Sequence, residues 1–313
     1  MAVLIGGGSG FIGRALAKLL RREGYFTVCI TRHGMDTTGS SADADFGKVI
    51  SWSTLMEEGY PDCSAVINLS GANIMDLTRR WTDRYKYDIL TSRVNTTRSI
   101  VEMIKDGRLR PKVFVTASGV GFYEQDDVRE YDESSPGGTH DFLAKVCRLW
   151  EDASVLPKDQ KVRVVNIRTG AVLGQGGGVI KNLYWPFFFG VGGPVGSGKQ
   201  PFPWIHLEDI THLYKFVMEN DRCSGVYNGV APQIITNGDF TRAFAKAMNR
   251  PAVLPTPPFI LNAVLNAERA TVLTEGQRVH PKRTVLAGYQ FLFPDVDSAC
   301  KDVVSGRRDN RDG

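Results

Sequence analysis

The sequence predicts an α/β chain built on a doubly wound parallel sheet, followed by a smaller and mostly helical region. Three observations lead there. Short apolar strand runs alternate with helical runs through the first two thirds of the chain. The first strand passes directly into glycines and then into a helix. After Gly170 the texture changes to glycine-rich loops and then to helices.

Residues 2–5 form the first short apolar strand. Residues 11–22 follow as a helix in which Phe11, Ala15 and Leu19 recur at helical spacing. Residues 26–31 are the second strand, and 33–48, rich in Gly, Ser, Thr and Asp, read as a loop. Residues 64–69 are a buried strand ending in Ser70 and Gly71. A long helix covers 80–105, starting near Trp81 and stopping at Gly107. Residues 112–116 are a strand leading into Ala117, Ser118 and Gly119; 143–153 are helical, and 162–167 are again a buried strand. Glycine-rich stretches at 174–178 and 190–198 flank the bulky run 184–189 and read as hinges around a pocket. Residues 204–209 precede a helix over 210–218, and 225–228 are a last strand. Helices over 239–248 and 259–266 are separated by the proline-rich turn 251–258.

Bulk properties narrow the function. Over 313 residues, 42% hydrophobic and 23% charged content is ordinary for a globular chain. The net charge of +4 is small, and no cluster of Lys and Arg interleaves with aromatics, so a nucleic-acid partner is not expected. Cys29, Cys63, Cys147, Cys223 and Cys300 make no CxxC pair, and their contexts suit reduced thiols acting as small hydrophobes rather than metal ligands. That implies a reducing compartment. No run is long enough to span a bilayer, and no basic segment precedes the apolar start, so a cytoplasmic protein with no membrane partner is expected.

The most informative local feature is Gly7-Gly8-Ser9-Gly10-Phe11-Ile12-Gly13. It fits GxxGxxG from Gly7 and GxGxxG from Gly8, so its register stays open. A strand-to-helix turn without Cβ atoms lets backbone N–H groups approach a pyrophosphate at a helix N-terminus. Gly7, Ser9, Gly10, Phe11, Ile12 and Gly13 are therefore candidate cofactor residues on a Rossmann fold; a merely structural turn is the alternative. The second strand ends in Thr31-Arg32 rather than in an acidic residue. A guanidinium there suits a 2′-phosphate, with the Thr31 hydroxyl beside it, which points to NADP. Asp36 is a rival from the loop, and a solvated Arg32 is the bland reading.

These residues, with Asn68-Leu69-Ser70-Gly71, Val94-Asn95-Thr96-Thr97 and the 168–174 stretch, resemble the extended short-chain dehydrogenase/reductase superfamily. Within it the chain is similar to the branch called "epimerase family protein", NADP-dependent oxidoreductases related to nucleotide-sugar epimerases. The runs 192–200 and 202–206 and Asn228-Gly229-Val230-Ala231-Pro232 carry that likeness, which reaches to about Lys301. The resemblance implies NADP contacts from Leu69, Ser70 and Gly71 at a strand end, from Asp88 and Arg93 on the long helix, and from Val172. Solvated helix charges are the alternative for Asp88 and Arg93, since five residues turn them about 140° apart. It also implies an NADP-binding core over 1–175 and a substrate-binding and C-terminal region over 176–300, with 199–230 returning to the core sheet. The polar tail 301–313 is expected to be disordered. Because extended members often dimerise through helices beside the sheet, a homodimer is compatible with the resemblance.

The superfamily's Tyr-x-x-x-Lys pair is absent. Matching Glu151 to the glutamate that commonly follows the pair puts Leu143 at the tyrosine position and Cys147 at the lysine position. Ser118 and Tyr123 are then the catalytic candidates: Tyr123 as a displaced acid, or as a loop tyrosine packed over the pocket. His206 and Asp209 read as structural, and Cys147 lacks an evident cation to make it a nucleophile. Two functions follow: an NADP-dependent oxidoreductase on an unknown small carbonyl, alcohol or sugar-nucleotide substrate, or a non-catalytic NADP(H)-binding sensor that has lost the pair.

Overall fold

A computed structural model describes residues 2–32, 45–76, 79–139, 141–252, 254–256 and 267–309. In chain order the elements are β1 (Ala2–Gly6), α1 (Phe11–Arg22), β2 (Phe26–Thr31), β3 (Lys48–Ser51), α2 (Trp52–Glu58), β4 (Cys63–Asn68) and α3 (Asp83–Lys105). Then come β5 (Val113–Gly119), β6 (Asp126–Tyr131), α4 (Phe142–Asp152), β7 (Arg163–Thr169), β8 (Ala171–Leu173), α5 (Gly178–Phe188), β9 (Trp204–His206) and α6 (Leu207–Glu219). The last are β10 (Gly225–Gly229), α7 (Asn237–Met248), α8 (Ala267–Thr274), β11 (Gln277–Val279), α9 (Lys282–Leu286) and α10 (Val296–Asp309).

Seven strands make one parallel sheet in the order β10-β7-β5-β4-β1-β2-β3. Strand alternation explains why β1 is apolar throughout. Val3 and Ile5 face the layer of α1 and α6, beside Leu16, Leu20, Leu213 and Val217, whereas Ala2 and Leu4 face α2 and α3, beside Leu55, Ile100 and Ile104. The strand order reverses between β1 and β4, which opens a crevice over their carboxyl ends. The 225–228 strand of the sequence reading is the edge strand β10, paired with β7. Two short parallel pairs, β6 with β11 and β8 with β9, stand apart from the main sheet.

Most strand and helix positions agree with expectation to within a few residues. β3 and α2 were not anticipated; Ser51 caps α2 by accepting from the Thr54 N–H at 3.0 Å. The bulky run 184–189, read as part of a hinge region, lies largely inside α5. Ile180, Tyr184 and Phe187 form its buried stripe despite the flanking glycines and Pro186. The predicted helix 259–266 and Asp36 lie outside the described residues, as do 310–313.

The expected disordered tail is corrected over 301–309. Those residues continue α10, and Ala299, Cys300, Val303 and Val304 are buried in a second core with Phe240 and Phe244 of α7. The segment's polar letters conceal that four-residue apolar stripe. All five cysteines are buried. Among the described residues, no helix is long and apolar enough to cross a membrane, and no group of three His, Cys, Asp or Glu could hold a metal ion.

Val303→Ala is expected to cost about 2 kcal/mol of stability, from two buried carbon groups lost and a small cavity left. Urea unfolding checks it; a midpoint equal to that of the parent chain would restore the frayed tail.

Candidate cofactor and active site

The crevice is built by two loops that nearly touch. After β1 the chain turns through Gly7, whose φ of +70° suits glycine. A Cβ on Gly7 would stand 2.7 Å from the Leu69 carbonyl, and one on Gly13 would stand 2.5 Å from the Gly8 carbonyl oxygen. Gly10 is the N-cap of α1, and its N–H donates to the Gly7 carbonyl at 3.0 Å. The turn therefore runs in the Gly7, Gly10, Gly13 register, while Gly8 is cleared for Cys29. No side chain caps α1, so its first-turn N–H groups face the crevice uncapped, beside exposed Ser9 and half-buried Phe11 and Ile12. The ring of Phe11 explains Gly174 and Gly177: a Cβ on Gly177 would lie 2.1 Å from it, and one on Gly174 2.9 Å.

The opposite wall is the end of β4. Buried Asn68 accepts from the Ser70 N–H at 3.1 Å and donates to Thr97 Oγ1 at 3.0 Å, so α3 holds the Leu69-Ser70-Gly71 turn in shape. The Leu69 N–H donates to the Gly6 carbonyl at 2.8 Å. The Ser70 hydroxyl is buried without a hydrogen-bond partner among the described residues. Thr31 ends β2 and Arg32 is exposed just beyond it. Val172, in β8, is buried in the core cluster against which Phe11 packs. A glycine cradle that any side chain would fill, an uncapped helix start and an orphaned hydroxyl together fit a dinucleotide.

Arg93 and Asp88 part company. Asp88 is half-exposed and pairs with Arg84 at 3.5 Å. Arg93 is buried: its guanidinium donates to the Ile89 carbonyl at 3.0 Å, lies over Trp150 at 5.1 Å and reaches so near Gly71 that a Cβ there would clash. No carboxylate pairs with it among the described residues, and burial pushes it down to about 10.

The catalytic candidates Ser118 and Tyr123 are joined in one chain of hydrogen bonds. Ser118 is buried and donates to Glu151 Oε1 at 2.7 Å. Arg168 grips the same carboxylate twice, at 2.8 and 2.7 Å, and donates to the Tyr123 hydroxyl at 2.9 Å. The Tyr123 hydroxyl in turn donates to Asn228 Oδ1 at 2.8 Å. Tyr123 is fully buried behind Tyr131, and burial pushes its phenol up to about 12. This chain of bonds clamps the ends of β5, β7 and β10. Gly119 of β5 also abuts α4: a Cβ there would stand 3.5 Å from Cys147 Sγ, and one on Gly121 would stand 3.2 Å from Leu143 Cβ. Cys147 is buried near Glu151 and pushed up to about 11, so it is a thiol rather than a thiolate. His206 caps α6 through Nδ1, and Asp209 accepts the Leu292 and Phe293 N–H groups, so both are structural.

Sequence reasoning missed the cluster that covers Leu143. Trp81, Tyr85, Ile89 and Val146 pack there with Phe142 and with Val272 of α8. The signal was available in α3, where Tyr85, Ile89 and Arg93 recur every four residues.

The comparisons with known proteins meet this geometry. The model of the NAD dependent epimerase/dehydratase family matches residues 3–228, and a domain of unknown function (DUF1731) matches 256–303. The chain belongs to the NAD dependent epimerase/dehydratase family. It is 42% identical to the mouse epimerase family protein SDR39U1 over 97% of this chain and all of that one. The crystal structure of human SDR39U1 (isoform 2) with NADPH superposes with a TM-score of 0.91 at 40% identity, covering 97% and 99% of the two chains. A nucleoside-diphosphate sugar epimerase from Corynebacterium glutamicum gives 0.75 at 27% identity over 97% of this chain and 58% of its own. The fold of this family member is thus the extended Rossmann type.

Tyr123→Phe is expected to lose about 1–3 kcal/mol, because Arg168 and Asn228 each lose a buried partner. NADPH affinity is expected to stay within twofold of the parent. Since the folded phenol holds its proton to about pH 12, stability should fall only as pH rises from 10, where the unfolded phenol ionises, toward 12. A stable Tyr123→Phe chain with lost NADPH binding would contradict the clamp.

Proposed function

We propose that this family member is an NADP(H)-dependent oxidoreductase acting on a small carbonyl or alcohol compound without the superfamily's tyrosine–lysine pair. When bound, the cofactor supplies or accepts a hydride. Gly7, Gly10 and the first turn of α1 would hold the diphosphate, Ser70 and Gly71 the ribose side, and Thr31 with Arg32 the 2′-phosphate. The NADPH in human SDR39U1 supports the cofactor.

The observation that carries the reading is Arg93. Burying a guanidinium without a carboxylate is costly, and this one sits beside Cys147, at the position the lysine would occupy. A cation retained there, after the lysine itself is gone, makes sense if the reactive half of the cofactor must be held through its hydroxyls. Leu143 and Gly119 offer no proton, so an acceptor that is already polarised suits the site better than a plain ketone.

A second reading, a non-catalytic NADP(H) sensor, is favoured by one observation: Ser118 and Tyr123 are both consumed by the clamp.

NADPH absorbance should fall on turnover with at least one member of a panel of quinones, aldehydes and keto-sugars, and Arg93→Met should abolish that turnover. Tight NADPH binding with no turnover anywhere selects the sensor. Arg32→Ala should weaken NADPH about tenfold or more while barely changing NADH, a loss typical of a charge-assisted contact. Equal losses for the two cofactors would remove the 2′-phosphate assignment.

A further inference from the structure

We propose, building on the oxidoreductase reading, that Lys86 anchors an anionic group of the substrate, carboxylate or phosphate, and that Glu268 occupies that anchor until the substrate displaces it. Glu268 and Val272 lie one helical turn apart on α8 and so reach the same neighbours. Val272 packs into the cluster over Leu143, the position of the missing tyrosine. Glu268 forms a short ion pair with Lys86 of α3. The Lys86 ammonium lies 5.6 Å from the centre of the Phe142 ring, and Phe142 is the residue next to Leu143. The ion pair therefore stands at the edge of the apolar cluster that covers Leu143, and it joins the DUF1731 region to the cofactor-binding part of the chain.

The pair is built to exchange. The Lys86 side chain is 24% exposed and that of Glu268 is 44% exposed, so water reaches both, and such pairs hold weakly. Several cations gather here. Arg79 lies over the Tyr85 ring at 5.5 Å, and Arg269, itself buried, donates to the Arg79 carbonyl at 2.7 Å. Burial and Asp76 push the Tyr85 phenol up, and Arg79, Arg269 and Arg93 offset that only in part. Along residues 76–93, together with Glu268 and Arg269, the chain holds six cations against four carboxylates, with Arg79 paired to Asp76 at 3.8 Å and Arg84 to Asp88 at 3.5 Å. An incoming anion enters a positive field and replaces one carboxylate on Lys86 with another. A neutral substrate would have to break the pair and leave Lys86 with nothing in exchange.

The test is titration calorimetry of the full chain, saturated with NADPH and held at constant ionic strength, with malonate and with inorganic phosphate as probes. Glu268→Gln should tighten binding of the preferred probe about fivefold, because it removes an internal competitor of surface-pair strength. Lys86→Met should abolish binding, whereas Lys86→Arg should retain it within a few fold, separating loss of charge from loss of fold. Preference for one probe identifies the group as carboxylate or phosphate. A purely structural ion pair would leave anion binding unmoved in every variant. Glu268→Gln binding no tighter than the parent, Lys86→Met binding as the parent does, or no binding by any variant each overturns the proposal. Opposite shifts in a chain that turns over nothing in the panel would keep the anchor and discard the oxidoreductase reading.

Discussion

The approach of the first glycine turn to the end of β4 is the contact on which the rest of the site depends. Gly7 lies against the Leu69 carbonyl, and Gly13 lies against the carbonyls of its own turn, at distances that leave no room for a Cβ. That closeness lets α1 start at the crevice with its N–H groups uncapped. It also fixes where Ser70 and Gly71 stand, and hence where Arg93 must pass. One absent methyl at each of two positions sets the geometry of both walls.

Buried charge is used in two different ways a few residues apart. Arg168 and Glu151 form a bidentate pair whose remaining donors and acceptors are met by Ser118 and Tyr123. Burial works against the charge on Arg168, and the Glu151 carboxylate more than offsets it. The pair is satisfied and therefore structural. Arg93 is buried by comparison with a carbonyl and a ring as its partners, and no carboxylate pairs with it among the described residues. The contrast separates a satisfied clamp from a buried cation without a counter-charge.

Much of the fold was legible because its signals are local. A strand, glycines and a helix lie within twenty residues, and buried strands show as apolar runs whatever they pair with. The glycine register was not legible, because it depends on the φ of Gly7 and on a contact with Leu69 some sixty residues away. The engagement of Ser118 was not legible for a related reason: its partner Glu151 lies 33 residues further on, in α4. For Arg93, given as an NADP contact by the resemblance, a solvated helix charge stayed open because its burial is decided by Gly71 and Trp150, which are remote in sequence. The last helix was hidden by its charged letters, although its apolar stripe was present.

The central claim is that main-chain amides at the head of α1 hold the diphosphate of NADPH. Titration calorimetry of the unmodified chain with NADPH tests it most directly. One site per chain, accompanied by a raised melting temperature, is the predicted result. No heat and no stabilisation at saturating NADPH would contradict the account.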